Sequence, residues 1–182
     1  DRLDYSGNLN RISDMMNSLD ANTKKRLRVV YHDLRAEINE MLLADLGNFN
    51  FILHMAASSH VDRSITDPLT FVYDNVVATC NILNFARKNK NLELFIYFST
   101  DEVFGPAPNK VKYKERDRYN STNPYSATKA GGEELAVAFE NSYKLPIFIT
   151  HTMNVFGERQ HPEKFIPKCI ISARDGLKID IH

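Results

Sequence analysis

Apolar and polar residues alternate along the chain in two rhythms, and most of the expected elements follow from them. Leu9, Ile12, Met15, Met16 and Leu19 recur at helical spacing, which predicts a helix over residues 8–20. Leu27 to Tyr31 is a short apolar run that predicts a strand ending at His32-Asp33-Leu34. Ala36 to Leu43 reads as a helix and Phe51 to Met55 as the next strand. Asp67 and Pro68 are an N-cap and first-turn pair opening a long helix to about Lys88. Leu69, Val72, Val76, Ile82, Leu83 and Phe85 give that helix a wide apolar stripe, and Asn75 sits inside it, poised to bind backbone and brace the neighbouring strand. Leu94-Phe95-Ile96-Tyr97-Phe98 is apolar throughout, the pattern of a buried strand. The stretch from Gly105 to Asn123, with its Pro, Lys and Asp residues, predicts a surface loop. Asn123 and Pro124 start a further helix that runs to about Lys144, before Pro146. Ile147 to Thr152 is the last strand, and Pro162 begins a final helical stretch.

Candidate chemistry gathers at two of these boundaries. Ser99, Thr100, Asp101 and Glu102 follow the apolar run 94–98, so they stand at the carboxyl end of a strand, where open α/β sheets bind ligands. Tyr125 and Lys129 lie four residues apart and share one face of the helix after Asn123. A free tyrosine, with a pKa of about 10, is a poor base near neutrality, and a neighbouring ammonium favours its phenolate. Taken alone, Tyr-x-x-x-Lys is a common surface pair and Thr-Asp-Glu a common cap; their order and context give them meaning together. Gly131-Gly132 inside the same helix costs about 1 kcal/mol per glycine against alanine, which close packing or an approaching ligand would explain.

With those residues in view, the chain resembles the extended short-chain dehydrogenase/reductase family, and within it the nucleotide-sugar 4,6-dehydratase branch, of which dTDP-glucose 4,6-dehydratase is typical. The resemblance rests on Ser99-Thr100-Asp101-Glu102-Val103-Phe104-Gly105 with Tyr125-x-x-x-Lys129. Three more stretches agree: His54-Met55-Ala56-Ala57-Ser58-Ser59-His60-Val61-Asp62-Arg63-Ser64-Ile65, Asn75-Val76-Val77-Ala78-Thr79, and Asn154-Val155-Phe156-Gly157 leading to Pro162-Glu163-Lys164-Phe165-Ile166-Pro167. It implies an α/β fold with a Rossmann-type doubly wound parallel sheet, a partial dinucleotide-binding domain over residues 1–160, and the start of a substrate-binding lobe over 161–182. It further implies that the first β-α unit with its glycine-rich phosphate turn lies upstream, and that most of the lobe lies downstream. No G-x-G-x-x-G occurs in the sequence.

The resemblance also assigns roles. Thr100, Asp101, Glu102, Tyr125 and Lys129 would be catalytic. Asp1 would accept hydrogen bonds from the adenosine ribose, favouring NAD over its 2′-phosphorylated form. Asp33 and Leu34 would sit at the adenine end, although apart from the resemblance Asp33 reads first as a cap of the next helix. Met55, Ala56, Ala57 and Ser59 would line the dinucleotide beside Tyr125 and Lys129. Ser59, His60, Thr100, Asn154, Lys164 and Phe165 would contact the sugar nucleotide. Two positions depart from the family pattern: Ser58 stands where a glutamate is usual, which bears on sugar specificity or on a contact behind the sugar site, and Val155 stands where a second asparagine is common in the dTDP-glucose enzymes. Helices 68–88 and 124–144 would pair with their copies in a homodimer.

Tyr125 would take the 4-hydroxyl proton, Thr100 would bind the 4-oxygen, Glu102 would remove the C5 proton and Asp101 would protonate the departing 6-hydroxyl. The adjacent Asp-Glu pair favours dehydratase over 4-epimerase, the alternative within the family. The absent glycine turn leaves a third reading, a fragment unable to hold NAD.

Composition narrows this little further. The chain of 182 residues is long enough for a domain with a real core, and its 43% hydrophobic content is ordinary. Lys plus Arg balance Asp plus Glu at 23 each, so charge gives no reason to expect nucleic acid or an anionic membrane as partner. No apolar run approaches the roughly 20 residues of a membrane span, and the first residues show no secretory signal. No metal site is expected: Cys80 and Cys169, far apart in helical contexts, fit reduced thiols and a cytoplasmic location.

Overall fold

The computed structural model describes residues 2–179. The chain divides into two compact units, one made of the residues up to Asp33 together with those from Asn154 on, the other spanning Leu34–Met153.

The larger unit is α/β. Its sheet, among the described residues, has three parallel strands in the order β1 (Phe51–His54), β2 (Leu94–Thr100), β3 (Ile147–Thr152). The register pairs Ile52 with Phe95 and Phe95 with Ile147, then His54 with Tyr97 and Tyr97 with Ile149. Because strand side chains alternate, these rows face one side of the sheet. There they join Leu83, Ala86, Ala136 and Leu145 in the main core. On the other side Phe51, Leu53 and Phe148 are more than half exposed. The strands therefore read as continuous apolar runs in sequence, yet within this chain only one of their faces is deeply covered.

Helices supply that cover. α3 (Glu40–Leu46) and α4 (Val61–Thr66) flank β1 in sequence. α5 (Pro68–Phe71) opens as expected, with Asp67 accepting from Thr70 N at 3.2 Å and Pro68 in the first turn. It does not continue as a uniform α-helix. Val72–Val77 forms a π-helical segment, after which α6 (Ala78–Ala86) completes the run. α7 (Pro124–Tyr143) begins in a capping box in which Asn123 accepts from Ser126 N and the Ser126 side chain answers the Asn123 backbone. It ends where Lys144 turns into the left-handed region. Gly132 lies against β2: a Cβ there would collide with the Tyr97 hydroxyl, which donates to Lys129 O at 3.1 Å. Close packing therefore explains one of the two helical glycines.

Two expected elements differ. Residues 27–31 form no strand: Leu27, Val29 and Tyr31 are exposed, so the apolar pattern there is not resolved into a buried ladder. The helix expected from Ala36 starts later, at Glu40, because Asn39 caps it by accepting from Leu42 N at 2.9 Å.

The smaller unit contains α1 (Asn10–Ser18), α2 (Ala21–Lys24) and α8 (Phe165–Arg174). The helix expected over 8–20 is thus present as α1. Tyr5 donates to Glu163 at 3.1 Å, and Arg159 donates to Arg11 O at 2.9 Å and lies 3.3 Å from Asp14. Ser172 is the buried residue of α8, and α1 buries none.

Candidate active site

β2 ends at Thr100, and the chain turns at once into one turn of 3-10 helix, Asp101–Phe104. The Thr100 hydroxyl caps that turn, accepting from Glu102 N at 3.3 Å and lying 3.4 Å from Asp101 Oδ1. Val103 and Phe104 are buried, anchoring the turn, so the two carboxylates before them are held at the sheet edge, half-buried. Asn123, the cap of α7, donates to Glu102 Oε2 at 3.3 Å. One asparagine thus fixes both the start of the helix that carries Tyr125 and a carboxylate of the strand end.

Tyr125 is half-buried against Phe71, with ring centroids 6.5 Å apart. Burial raises its phenol pKa above the ordinary value, the negative charges of Glu102 and Asp101 raise it further, and the hydrogen bond of the Thr100 hydroxyl works the other way. The tyrosine therefore shares one electrostatic neighbourhood with all three strand-end groups.

Lys129 lies one turn on and is 4% exposed. Its Nζ donates to Phe98 O at 2.7 Å and stands 4.3 Å from the centre of the Tyr97 ring. Burial lowers its pKa to about 8, against the pull of Glu133. In the chain by itself the phenol of Tyr125 is set by burial, Thr100, Glu102 and Asp101. The ammonium is committed to a main-chain carbonyl and an aromatic face.

The loop after β1 is braced from behind. Asn75 accepts from Ser58 N at 2.8 Å, donates to Ser58 O at 2.9 Å and donates to Thr128 Oγ1 at 3.0 Å. Ser58 Oγ in turn donates to the buried Asp74 at 2.6 Å. Asn75 does bind backbone, then, but that of the β1–α4 loop rather than of β2. A π-helical turn widens the helix at Asp74 and Asn75, and such turns are frequent at functional sites.

In front of this brace Met55, Ala56, Ala57 and Ser59 are exposed beyond the end of β1, while His60 is partly buried and its Nδ1 has no hydrogen-bond partner. Small exposed residues at a strand's carboxyl end, a buried imidazole nitrogen with unused capacity and a poised lysine are a donor set that fits a dinucleotide and a polar ligand beside it. Leu34 belongs to the same unit, its carbonyl held by Asn81 Nδ2 at 2.8 Å.

The remaining expected residues lie in the smaller unit. Asp33 faces Arg2 at 3.6 Å and caps no helix, since the next one is capped by Asn39. Asn154 and Phe165 are exposed, and Lys164 precedes the first turn of α8. Asp1 falls outside the described residues. Among the described residues no group of three or more His, Cys, Asp or Glu could hold a metal, and no helix is long and apolar enough to cross a membrane.

Sequence reasoning passed over Glu133. It is fully buried, takes the hydroxyl of Ser99 on one oxygen, and on the other takes that of Tyr119 at 2.5 Å, with His151 Nε2 at 2.8 Å. Continuing the four-residue spacing of Tyr125 and Lys129 by one step would have reached it.

A parallel sheet whose middle strand presents Thr-Asp-Glu to a helix-borne Tyr-x-x-x-Lys defines an α/β domain of the Rossmann type. The chain belongs to the GDP-mannose 4,6 dehydratase family, whose model matches residues 1–181. It is 35% identical to dTDP-D-glucose 4,6-dehydratase of Dictyostelium discoideum, over all of this chain and 43% of that protein. Among solved structures it is similar to the dTDP-glucose 4,6-dehydratase DesIV of Streptomyces venezuelae, crystallised with NAD and TYD, at 35% identity and a TM-score of 0.83, covering 97% of this chain and 52% of that one. It is also similar to a UDP-N-acetylglucosamine 4-epimerase of Methanobrevibacter ruminantium, at 26% identity and a TM-score of 0.81, covering 98% of this chain and 55% of that one. The chain spans about half the length of the relatives it matches.

Proposed function

We propose that the protein carrying this chain is an NAD-dependent nucleotide-sugar 4,6-dehydratase, converting an NDP-glucose such as dTDP- or UDP-glucose to its 4-keto-6-deoxy sugar. The observation that carries the reading is the gathering of Thr100, Asp101 and Glu102 at the end of β2, with Glu102 tied through Asn123 to the start of the helix that bears Tyr125 and Lys129.

Asp33, Leu34, Met55, Ala56, Ala57, Ser59 and Lys129 would hold NAD, and Asp1 is proposed with them from the resemblance alone. Bound there, NAD would accept hydride from C4 and return it at C6. The chain's own residues manage the protons. Tyr125 takes the proton of the 4-hydroxyl, and Thr100 hydrogen-bonds the 4-oxygen. The resulting 4-keto group acidifies C5. Glu102 removes the C5 proton, and Asp101 delivers one to the 6-hydroxyl, which leaves as water. Two neighbouring carboxyls in opposite protonation states can run both steps. Ser59, His60, Asn154, Lys164 and Phe165 are the proposed sugar-nucleotide contacts. A homodimer through the helices over 68–88 and 124–144, and a cytoplasmic location, complete the proposal.

Incubating the complete protein with dTDP- and UDP-glucose should yield a product one water lighter, with a 6-methyl signal by NMR. No such product from any hexose nucleotide would reject the reading. The likeness to a 4-epimerase supports a second reading. Replacing Asp101→Asn and Glu102→Gln together separates them: dehydration should fall by about a thousandfold or more, as expected when both acid and base are removed, while epimerisation should survive.

A further inference from the structure

We propose that Glu133 is a positioning residue of this site, a buried carboxyl that ties the helix of Tyr125 and Lys129 to the ends of β2 and β3 and so governs the setting of Lys129. The inference rests on the dehydratase reading for its consequences in turnover, though not for its structural content.

Glu133 is 0% exposed, and carboxylates are almost never buried so completely without partners. Its partners come from three elements other than its own. Ser99, adjacent to Thr100, is on β2; His151 is on β3; Tyr119 belongs to the loop between Gly105 and Asn123. That loop is fixed over the catalytic turn by Asn120 N donating to Val103 O at 2.8 Å and by the Asn123 contact to Glu102. A single carboxylate therefore joins the helix bearing Tyr125 and Lys129 to the strand bearing Thr100, the neighbouring strand and the loop beside them. Three hydrogen-bonding groups hold it in place.

The effect on Lys129 follows from position. Glu133 is one helical turn beyond it, and its charge favours the ammonium against the burial that opposes it. The other titratable groups around the lysine are His54 on β1, Tyr97 on β2 and Tyr125 on its own helix. His54 is buried and its pKa is lowered to about 3, so it is neutral near neutrality; Tyr97 is buried and its pKa is raised, so it is neutral too. Asp101 and Glu102 act on Tyr125. Glu133 thus works against the burial of Lys129.

The test uses the complete protein with carbon-13 labelled lysine side chains, Lys129 being assigned by its loss in Lys129→Met. Glu133→Gln keeps the shape and removes the charge. The Lys129 titration should move down by about one unit or more, whereas Glu133→Asp should leave it near the wild-type position. In turnover the alkaline limb of kcat should move down with it, kcat falling about ten- to a hundredfold with KM changed less than about twofold. If Glu133→Gln does not fold, Glu133→Gln/His151→Gln replaces both partners of the buried contact and carries the same measurement. A Lys129 titration unchanged on loss of the charge overturns the proposal, as does failure of the double variant to fold, which would make the carboxylate part of the scaffold only. Because the titration needs no substrate, an inactive wild type rejects the dehydratase reading without touching this result.

Discussion

Tyr125 shows why a motif does not by itself state an acidity. The spacing of Tyr125 and Lys129 invites the conclusion that the ammonium acidifies the phenol. In the folded chain burial dominates and the neighbouring carboxylates add to it, so the phenol is held in its protonated form. The groups that could reverse this are Thr100 and whatever positive charge a bound cofactor adds. In the dinucleotide-free protein, a difference titration against Tyr125→Phe should show this phenol ionising above an ordinary tyrosine. Lys129→Met should leave that ionisation nearly in place, and Thr100→Val should raise it. Ionisation below the ordinary value would restore the lysine to the role the spacing suggests. The residue identities were legible because the motifs are local. The direction of the pKa was not, since it depends on burial and on Thr100, Asp101 and Glu102, which only the fold brings to the phenol.

At the scale of elements, caps were read more surely than interiors. Asp67-Pro68 and Asn123-Pro124 announce their helices through local hydrogen bonds, and both do what the sequence suggests. The π-helical segment at Val72–Val77 leaves no comparable mark, because it is stabilised by tertiary partners such as Ser58 and Thr128. The strand expected over 27–31 failed for a related reason: an apolar run becomes a strand only when a ladder and a covering layer receive it. The paired glycines of α7 give a sharp test. A Cβ on Gly132 meets the Tyr97 hydroxyl, while one on Gly131 reaches Val76 at 3.4 Å, an ordinary contact. Gly132→Ala should therefore cost about 1–3 kcal/mol through overpacking. Gly131→Ala should be neutral or stabilise by up to about 1 kcal/mol through helix propensity. Urea denaturation of the two variants measures both, and equal effects would contradict the packing described.

For the molecule as a whole, the clearest pH signature belongs to His54. It is 4% exposed, and its Nε2 lies 3.0 Å from Thr79 Oγ1, whose proton goes to Asn75 O at 2.6 Å. The imidazole nitrogen therefore donates to Thr79. Burial, with Lys129 second, lowers its pKa from 6.5 to about 3. The unfolded chain takes up a proton below about 6.5 that the folded chain refuses until about 3, so the stabilisation present above the upper value is lost as pH falls through this window. At about 1.4 kcal/mol per unit the full span amounts to on the order of 5 kcal/mol. Melting curves from pH 7 to 4 should fall steeply for the wild type and more gently for His54→Gln; parallel curves would show that another group governs the acid limb. The fold class was legible at this scale because long apolar runs punctuated by capped helices leave few architectures. The division at Asp33 and Asn154 was not, since it depends on which segments pack together rather than on composition.

The widened turn at Val72–Val77 gives the chain an unusual vulnerability. In an ordinary α-helix each residue advances the side chains by about 100°, so the loss of one residue rotates everything beyond it by that angle. A π-helical segment stores an extra residue per turn, and removal of one would let it relax to α geometry while Asp74 and Asn75 swing away from Ser58. The length of this helix is therefore under tighter constraint than most of its letters: conservative replacements along it should be absorbed, whereas a single-codon deletion should unlatch the β1–α4 loop.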